Sequence, residues 1–107
     1  MDNFKVIYKI LKIMEAAMDL EEFDTKTISK EALNLTEARW CRIIAMLVNE
    51  EYITGVEVWS SFDCGHPKIS LSRPEITIKG LEYLEQNSLM KRAAEMAKGI
   101  KEIVPGI

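Results

Sequence analysis

The 107-residue sequence has little of what metal-binding and secreted proteins usually carry, since it contains two cysteines and one histidine. Cys41 and Cys64 are far apart in the chain, so they do not form the paired clusters of disulfide-rich domains. His66 and Asp63 flank the Cys64 segment, but a zinc site usually takes four ligands from two clusters, and no second cluster follows. We therefore expect no disulfide framework, no metal and no cofactor.

Glycine-rich loops and long apolar runs are also missing. Gly55, Gly65 and Gly80 are scattered and form no phosphate-binding loop, and His66 has no nucleophile at an informative spacing. No run of 18 apolar residues would cross a membrane. Lysines interrupt the apolar N-terminal residues, and no small-residue cleavage site follows them. We expect a cytoplasmic protein that is not an enzyme and does not enter a membrane.

The excess of positive charge that is typical of nucleic-acid binders is absent as well. Fourteen basic and 17 acidic side chains give a net charge of -3, although the charge on one face is what matters to a phosphate backbone. Residues 1–24 hold six acidic and three basic side chains, whereas residues 25–42 and 91–107 each carry a local charge of +2. The counts indicate an acidic flank beside two modestly basic segments.

The apolar residues of the N-terminal segment follow helical spacing. A hydrophobic content of 48% and a charged content of 29% are those of an ordinary globular domain. Residues 3–18 carry two adjacent apolar rows, which predict a helix packed deeply in the core. The rows are Val6, Ile10, Ile13 and Ala17, and Ile7, Leu11, Met14 and Met18.

The next segment predicts a helix-turn-helix. Residues 25–28 are β-type and indicate a short strand, after which Ser29 is a good N-cap for a brief helix over 30–34. Thr36 is a good N-cap for a longer helix over 37–50, and two helices joined in this way have helix-turn-helix geometry. The apolar residues that should face the core from the longer helix are Trp40, Ile43, Ile44, Leu47 and Val48.

A two-stranded ribbon and a capped helix are predicted to follow. Residues 52–59 and 68–72 alternate like two strands around a turn-rich tip. Residues 73–76 then lead to Thr77, whose hydroxyl can accept from an orphan amide of a helix over 78–87. The predicted fold class is therefore mainly α with a small antiparallel β-ribbon.

This order of elements resembles the winged helix-turn-helix. The segments LVNEEYI (47–53) and ITIKGLEYLEQN (76–87) are similar to the joints of such domains, with Gly80 allowing the last helix to lie close to its neighbour. Many of these domains have glycine where Glu51 stands, because a left-handed helix stop favours glycine. We expect the stop to be made differently here, or at a cost of about 1 kcal/mol.

More closely, the chain resembles the YjcQ family, small single-domain proteins of bacteria and their phages. The resemblance extends over nearly the whole chain and is carried by MDNFKVIYKIL, LTEARWCRIIAMLVNEEYI and KISLSRPEITIKGLEYLEQN. It implies a winged-helix fold and brings no assigned activity, catalytic residue or ligand residue.

The C-terminal residues predict an additional helix over 88–104. Its apolar residues recur at spacings of 4, 3, 4 and 3, a heptad-type seam suited to another subunit: Leu89, Ala93, Met96, Ile100 and Ile103. The alternative is that this helix folds back onto the first helix. We expect residues 1–87 to form the winged helix-turn-helix domain and residues 88–107 to form a helix for dimerisation or packing. We favour a homodimer, because winged-helix DNA readers commonly pair half-sites by two-fold symmetry.

Two arginines lie early in the helix that would enter DNA. Arg39 and Arg42 are three residues apart and share one side of it, which predicts contacts to phosphates or guanine edges in the major groove. The alternative is a solvated face on which one of them pairs with Glu37, whose charge would also repel phosphate. The DNA-binding hypothesis further includes Thr36, Lys26, Lys30 and Lys68.

Two functions are compatible with these features. The first is a transcriptional regulator of bacterial or phage genes that binds double-stranded DNA. The second is a non-enzymatic protein–protein interaction module that keeps the winged-helix frame without binding DNA. Trp40 is expected in the core, whereas Trp59, beside Phe62, is expected to be exposed. An exposed Trp59 fits an interface at least as well as base stacking.

Overall fold

The computed structural model describes residues 2–87, which form a winged helix-turn-helix. The elements are α1 (Asn3–Ala16), short 3-10 turns at Ala17–Asp19 and Thr25–Ile28, α2 (Lys30–Leu33), α3 (Glu37–Asn49), β1 (Ile53–Trp59), β2 (Lys68–Ile76) and α4 (Ile78–Gln86). The helices α2 and α3 form the helix-turn-helix, and β1 and β2 form an antiparallel wing. The mainly α fold class with a small β-ribbon is confirmed. The predicted helix over 88–104 and its seam residues lie outside the described residues.

One apolar core joins the helices to the wing. Its fully buried large side chains come from α1, the second 3-10 turn, α3 and β1: Ile10, Leu11, Ile28, Ile43, Ile44, Leu47 and Ile53. Leu84 brings α4 into the same cluster. The predicted apolar face of α1 is confirmed except at its end, where Met18 is largely exposed because the α-helix stops at Ala16. Within residues 2–87, no helix combines the length and the apolarity that crossing a membrane requires.

Side-chain caps define the ends of the helix-turn-helix. The hydroxyl groups of Ser29 and Thr36 each accept a hydrogen bond from the backbone amide three residues later, at 3.1 and 3.2 Å. Between the two helices Asn34 adopts the left-handed conformation, with φ of 59°, which terminates α2. The predicted brief helix, turn and longer helix are confirmed.

The predicted strand at residues 25–28 is wrong, because these residues form a 3-10 turn. The carboxylate of Asp24 accepts from the Lys26 amide at 3.0 Å, and the Thr27 hydroxyl donates to the Asp24 carbonyl at 2.8 Å. These local bonds satisfy the backbone without a partner strand. The turn places Ile28 in the core, where it is fully buried.

The second wing strand is longer than predicted. Alternation predicts it over residues 68–72, but it continues to Ile76. A bulge makes this possible: the register shifts at Gly55, whose φ is 80°, and a Cβ there would overlap the Arg73 carbonyl. Pro74 lacks an amide and usually ends a strand, but the bulge lets it lie buried within this one.

The left-handed stop after α3 is present, although glycine is not. Glu51 has φ of 66°. Its amide donates to the Val48 carbonyl and the Tyr52 amide donates to the Leu47 carbonyl, both at 2.9 Å, which is the Schellman pattern. The helix stop is therefore not made differently: the usual left-handed geometry is kept with glutamate in place of glycine, which we expect to cost about 1 kcal/mol.

The start of α4 is fixed by Thr77 and Gly80. The Thr77 hydroxyl accepts from the Gly80 amide at 3.1 Å and donates to the Glu51 carbonyl at 2.6 Å, which ties α4 to the end of α3. A Cβ on Gly80 would lie 2.7 Å from the Ile76 side chain and closer still to the Tyr52 carbonyl. The predicted cap and the predicted close approach at Gly80 are both confirmed.

Candidate nucleic-acid interface

The first half of α3 presents a polar surface to solvent. Thr36, Arg39 and Arg42 are exposed, whereas Ile43 and Leu47 of the same helix are buried. This division follows helical periodicity, because residues three apart share a face. The three polar residues border a shallow groove of about 330 Å³ between the start of α1 and α3. Three of the six residues of the DNA-binding hypothesis thus lie on one surface.

Arg39 is held by the first helix. Its Nη1 donates to Oδ1 of Asn3 at 2.6 Å, and Asn3 is the first residue of α1. A guanidinium has five N–H donors, so this bond leaves others available to a phosphate or a base edge. Sequence reasoning missed Asn3, because a contact over 36 positions leaves no signal in local spacing.

Arg42 is held by the tip of the wing. Its Nη2 donates to the Gly65 carbonyl at 3.1 Å, so the loop between β1 and β2 bends back towards α3. The expected alternative, an ion pair of Arg39 or Arg42 with Glu37, is not among the ion pairs of residues 2–87. The wing tip therefore meets the face of α3 that would approach DNA.

Glu37 pairs instead with Lys30. The Lys30 Nζ lies 3.1 Å from Oε1 of Glu37 and joins α2 to the first turn of α3. This hydrogen bond and the opposite charges raise the pKa of Lys30 and lower the pKa of Glu37. His66 and Lys68 lower the pKa of Glu37 further, which puts the start of β2 on the same side of the molecule. The exposed pair adds little stability, but it balances the negative charge next to the arginines.

The two remaining basic residues are placed differently. Lys68 is half-buried at the first residue of β2, near Glu37 and Cys41, whose pKa values it lowers. Lys26 lies in the turn before α2, and its side chain makes no ion pair with another residue of the described range. Lys68 thus adjoins the α3 surface, whereas Lys26 is an exposed residue of the turn that precedes α2.

The two tryptophans occupy different environments. Trp40 is half-buried against the core, and its Nε1 donates to the Ile28 carbonyl at 2.9 Å, which confirms in part its expected core position. Trp59 is 49% exposed, as predicted, and Phe62 in the wing tip is fully exposed. Val58 is 37% exposed, but it comes directly before Trp59 in β1, so its side chain points to the other face of the wing. Trp59 and Phe62 are thus the large exposed apolar side chains near the wing tip.

Cys41 is buried in α3, whereas Cys64 and His66 have local hydrogen-bond partners in the wing tip. Burial raises the pKa of Cys41. In the wing tip the Cys64 thiol donates to the His66 carbonyl at 3.2 Å, and the His66 Nδ1 lies 2.9 Å from the Pro67 carbonyl. Over residues 2–87, no three His, Cys, Asp or Glu side chains converge in a way that could hold a metal ion. These hydrogen bonds shape the tip that meets Arg42.

Comparison with known proteins gives one consistent result. The profile of a family described as "YjcQ protein" matches residues 8–103. The chain is 30% identical over 103 residues to "Uncharacterized protein YjcQ" of Bacillus subtilis (strain 168), an alignment that covers 95% of this chain and 97% of that protein. No solved structure matches the chain. Because the family profile and the relative each cover nearly the whole sequence, this protein belongs to the YjcQ family.

Proposed function

We propose that this protein is a DNA-binding transcriptional regulator of bacterial or phage genes, acting in the cytoplasm as a homodimer and without a catalytic step. The observation that carries the proposal is the exposure of Thr36, Arg39 and Arg42 together on the first half of α3. This is the second helix of the helix-turn-helix, and in such motifs its N-terminal residues contact base edges in the major groove.

The arginines suit different contacts on a duplex. Arg39 is positioned by Asn3 at the edge of the groove between α1 and α3, and its free N–H groups can bind a guanine edge in bidentate fashion. Arg42 is bound to a neutral acceptor, the Gly65 carbonyl. A phosphate oxygen accepts a stronger, charge-assisted hydrogen bond, so DNA can replace that carbonyl as the partner of Arg42.

The lysines near α3 would contact the phosphate backbone of DNA on either side of its major groove. Lys68 lies at the start of β2, close to the α3 surface, and Lys30 borders it from α2. Lys26 extends the set from the preceding turn. Contacts to phosphate fix the register of a protein on DNA without reading sequence, and they make binding dependent on salt.

The dimer in this proposal is formed by the C-terminal seam of residues 88–104. A two-fold symmetric pair would present two α3 helices to two half-sites one turn of DNA apart. The seam residues supply apolar area at heptad spacing, which is the pattern of helices that associate.

Replacing each arginine by alanine tests the DNA-binding proposal. We expect Arg39→Ala and Arg42→Ala each to weaken binding to duplex DNA. An arginine that binds phosphate should also reduce the salt slope by about 1 when it is replaced. Fluorescence anisotropy of labelled genomic fragments at two salt concentrations measures both quantities. Lys79→Ala is the matched control, since Lys79 is an exposed cation on α4 that lies near Glu51, at the opposite end of α3 from Arg39 and Arg42. Wild-type protein that binds no duplex even at low salt would contradict the proposal.

A second function is favoured by a separate observation. The wing exposes Trp59 and Phe62 near its tip, while Arg42 already has an acceptor within the protein. An interaction module on a winged-helix frame would use this apolar wing to bind another protein and would leave DNA unbound. The anisotropy titration of the wild-type chain separates the two functions directly.

A further inference from the structure

A concave surface with both apolar and charged side chains lies on the side of the molecule formed by the end of α1 and the end of β2. This end groove has a volume of about 640 Å³, and its apolar lining includes Met14, Met18, Leu20, Phe23 and Ile76. Met18 and Leu20 are each 61% exposed. Two large apolar side chains exposed in one groove mark a surface that a partner can cover.

The charges on the end groove restrict what that partner can be. Glu21, Glu22 and Glu75 line it, with Arg73 as the basic residue in the lining. Asp19 lies in the adjoining 3-10 turn. A ligand that fits the end groove should therefore carry apolar side chains together with positive charge.

The chain itself contains a segment of this chemistry. Residues 88–107 include the apolar seam described above, and residues 91–107 have a local charge of +2. Within them Lys98 and Lys101 alternate with Ile100 and Ile103. Apolar and basic side chains thus occur together in the last part of this C-terminal segment.

The direction of α4 brings this segment back towards the groove. Ile76, which lines the end groove, comes just before α4, so α4 begins beside the end of α1. Because α4 begins beside the end of α1 and packs against it, the two helices run in opposite directions. The chain therefore leaves α4 beside the first half of α1.

The length of α1 matches the length of the C-terminal segment. The 14 residues of α1 correspond to about 21 Å of helix at 1.5 Å per residue. The 14 steps from Leu89 to Ile103 cover the same length, about 21 Å, along a helical path. A segment that returns alongside α1 therefore brings Ile100 and Ile103 to the level of the end groove.

We infer that the end groove is the docking site of the C-terminal segment, residues 88–107. Ile100 and Ile103 cover Met18 and Leu20, and the neighbouring lysines face the acidic rim. The inference concerns the groove and this segment, and it does not depend on DNA binding. The path along α1 is that of a segment from the same copy; in the homodimer proposed above the two copies exchange this segment, so that the same contacts form between them.

Photo-cross-linking of the full-length protein tests the docking. Met18 is replaced by p-benzoylphenylalanine, the protein is irradiated, and the cross-linked peptides are identified by mass spectrometry. We expect the cross-links to fall within residues 88–107, and the mass of the cross-linked species shows which copy donated the segment. The matched control places the same probe at Phe62, which is fully exposed on the wing tip, and should give no cross-link to that segment.

Charge reversal tests the basis of the recognition. Lys98→Glu with Lys101→Glu should lower the cross-link yield, by roughly twofold to fivefold for each exposed ion pair that is removed. Glu21→Lys with Glu22→Lys, added to that variant, should restore the yield, which a merely unfolded segment would not allow. Probes at Met18 and Leu20 that find only residues 2–87, or nothing, in a protein with native circular dichroism would overturn the inference. A yield unaffected by charge reversal would overturn it as well.

Discussion

Among single residues, Glu51 adopts a left-handed backbone conformation at a position where glycine is preferred. It occupies the left-handed position after α3, where a side chain with a Cβ is strained, and it is held there by the two hydrogen bonds of the Schellman pattern. Its carboxylate is 3.9 Å from the Lys79 ammonium, an exposed pair that contributes little. The side chain therefore offers little to offset the strain of its backbone.

Replacing Glu51 by glycine should stabilise the protein. Removal of the Cβ relieves the left-handed strain, and we expect the free energy of unfolding to rise by up to about 1 kcal/mol. Urea denaturation followed by circular dichroism gives this value. Glu50→Gly is the control: Glu50 has φ of -83°, so glycine relieves nothing there and should cost about 0.5–1 kcal/mol through its added backbone freedom. Equal effects at the two positions would show that the strain at Glu51 is negligible.

Adding a Cβ at Gly80 should destabilise the protein, in contrast to removing one at Glu51. Gly80→Ala would push a methyl group against the Tyr52 carbonyl and the Ile76 side chain, where α4 lies on the end of the wing. We expect the free energy of unfolding to fall by about 1–3 kcal/mol, as for overpacked sites. At Gly65 a Cβ meets nothing within 4 Å, so Gly65→Ala should change stability by less than about 0.5 kcal/mol. Thermal unfolding of both variants checks the contrast.

The partners of the candidate site residues could not be read from the sequence. The spacing of Arg39 and Arg42 is enough to put them on one exposed face of α3. Their acceptors, Asn3 and the Gly65 carbonyl, are 36 and 23 positions away. Such bonds depend on how α1 and the wing tip pack against α3, which no periodicity records. The pairing of Lys30 with Glu37 likewise depends on the angle between α2 and α3 and leaves no pattern in the chain.

At the scale of elements, the helices could be predicted because their signals are local. Ser29, Thr36 and Thr77 are favourable caps, and each makes its expected hydrogen bond in the structure. The two errors have different causes. Residues 25–28 have β-type side chains, but local hydrogen bonds to Asp24 close a turn there. The extension of β2 past residue 72 depends on a bulge opposite Gly55, which sequence alternation does not reveal.

Packing between elements gives a third prediction. Leu47 of α3 and Leu84 of α4 are 1% and 6% exposed and belong to the same apolar cluster. Leu47→Ala and Leu84→Ala should each lower the free energy of unfolding by about 2–5 kcal/mol, because each leaves a cavity. Met46→Ala is the control on α3, since Met46 is largely exposed and should cost less than about 0.5 kcal/mol. Decreases below about 1 kcal/mol at both leucines would mean that the helix faces are assigned wrongly.

At the scale of the whole molecule, the core and the seam that the sequence predicts for association occupy different parts of the chain. The buried cluster of the described residues runs from Val6 to Leu84 and joins every helix to the wing. The seam of apolar residues that the sequence predicts for association begins at Leu89, beyond this cluster. Folding of the winged helix and self-association should therefore respond to different changes in the chain.

Truncation after Asn87 tests this separation. We expect a folded monomer, because the core described above is retained, whereas the full-length chain should be a dimer through the 4-3-4-3 spacing of its seam. Circular dichroism reports the fold, and sedimentation or light scattering of both chains at tens of micromolar reports the mass. A full-length chain that is monomeric at this concentration, which corresponds to an association free energy weaker than about 7 kcal/mol, would contradict the dimer. The C-terminal segment would then act as a cover within one copy, and cross-links from the end groove would join residues of the same chain.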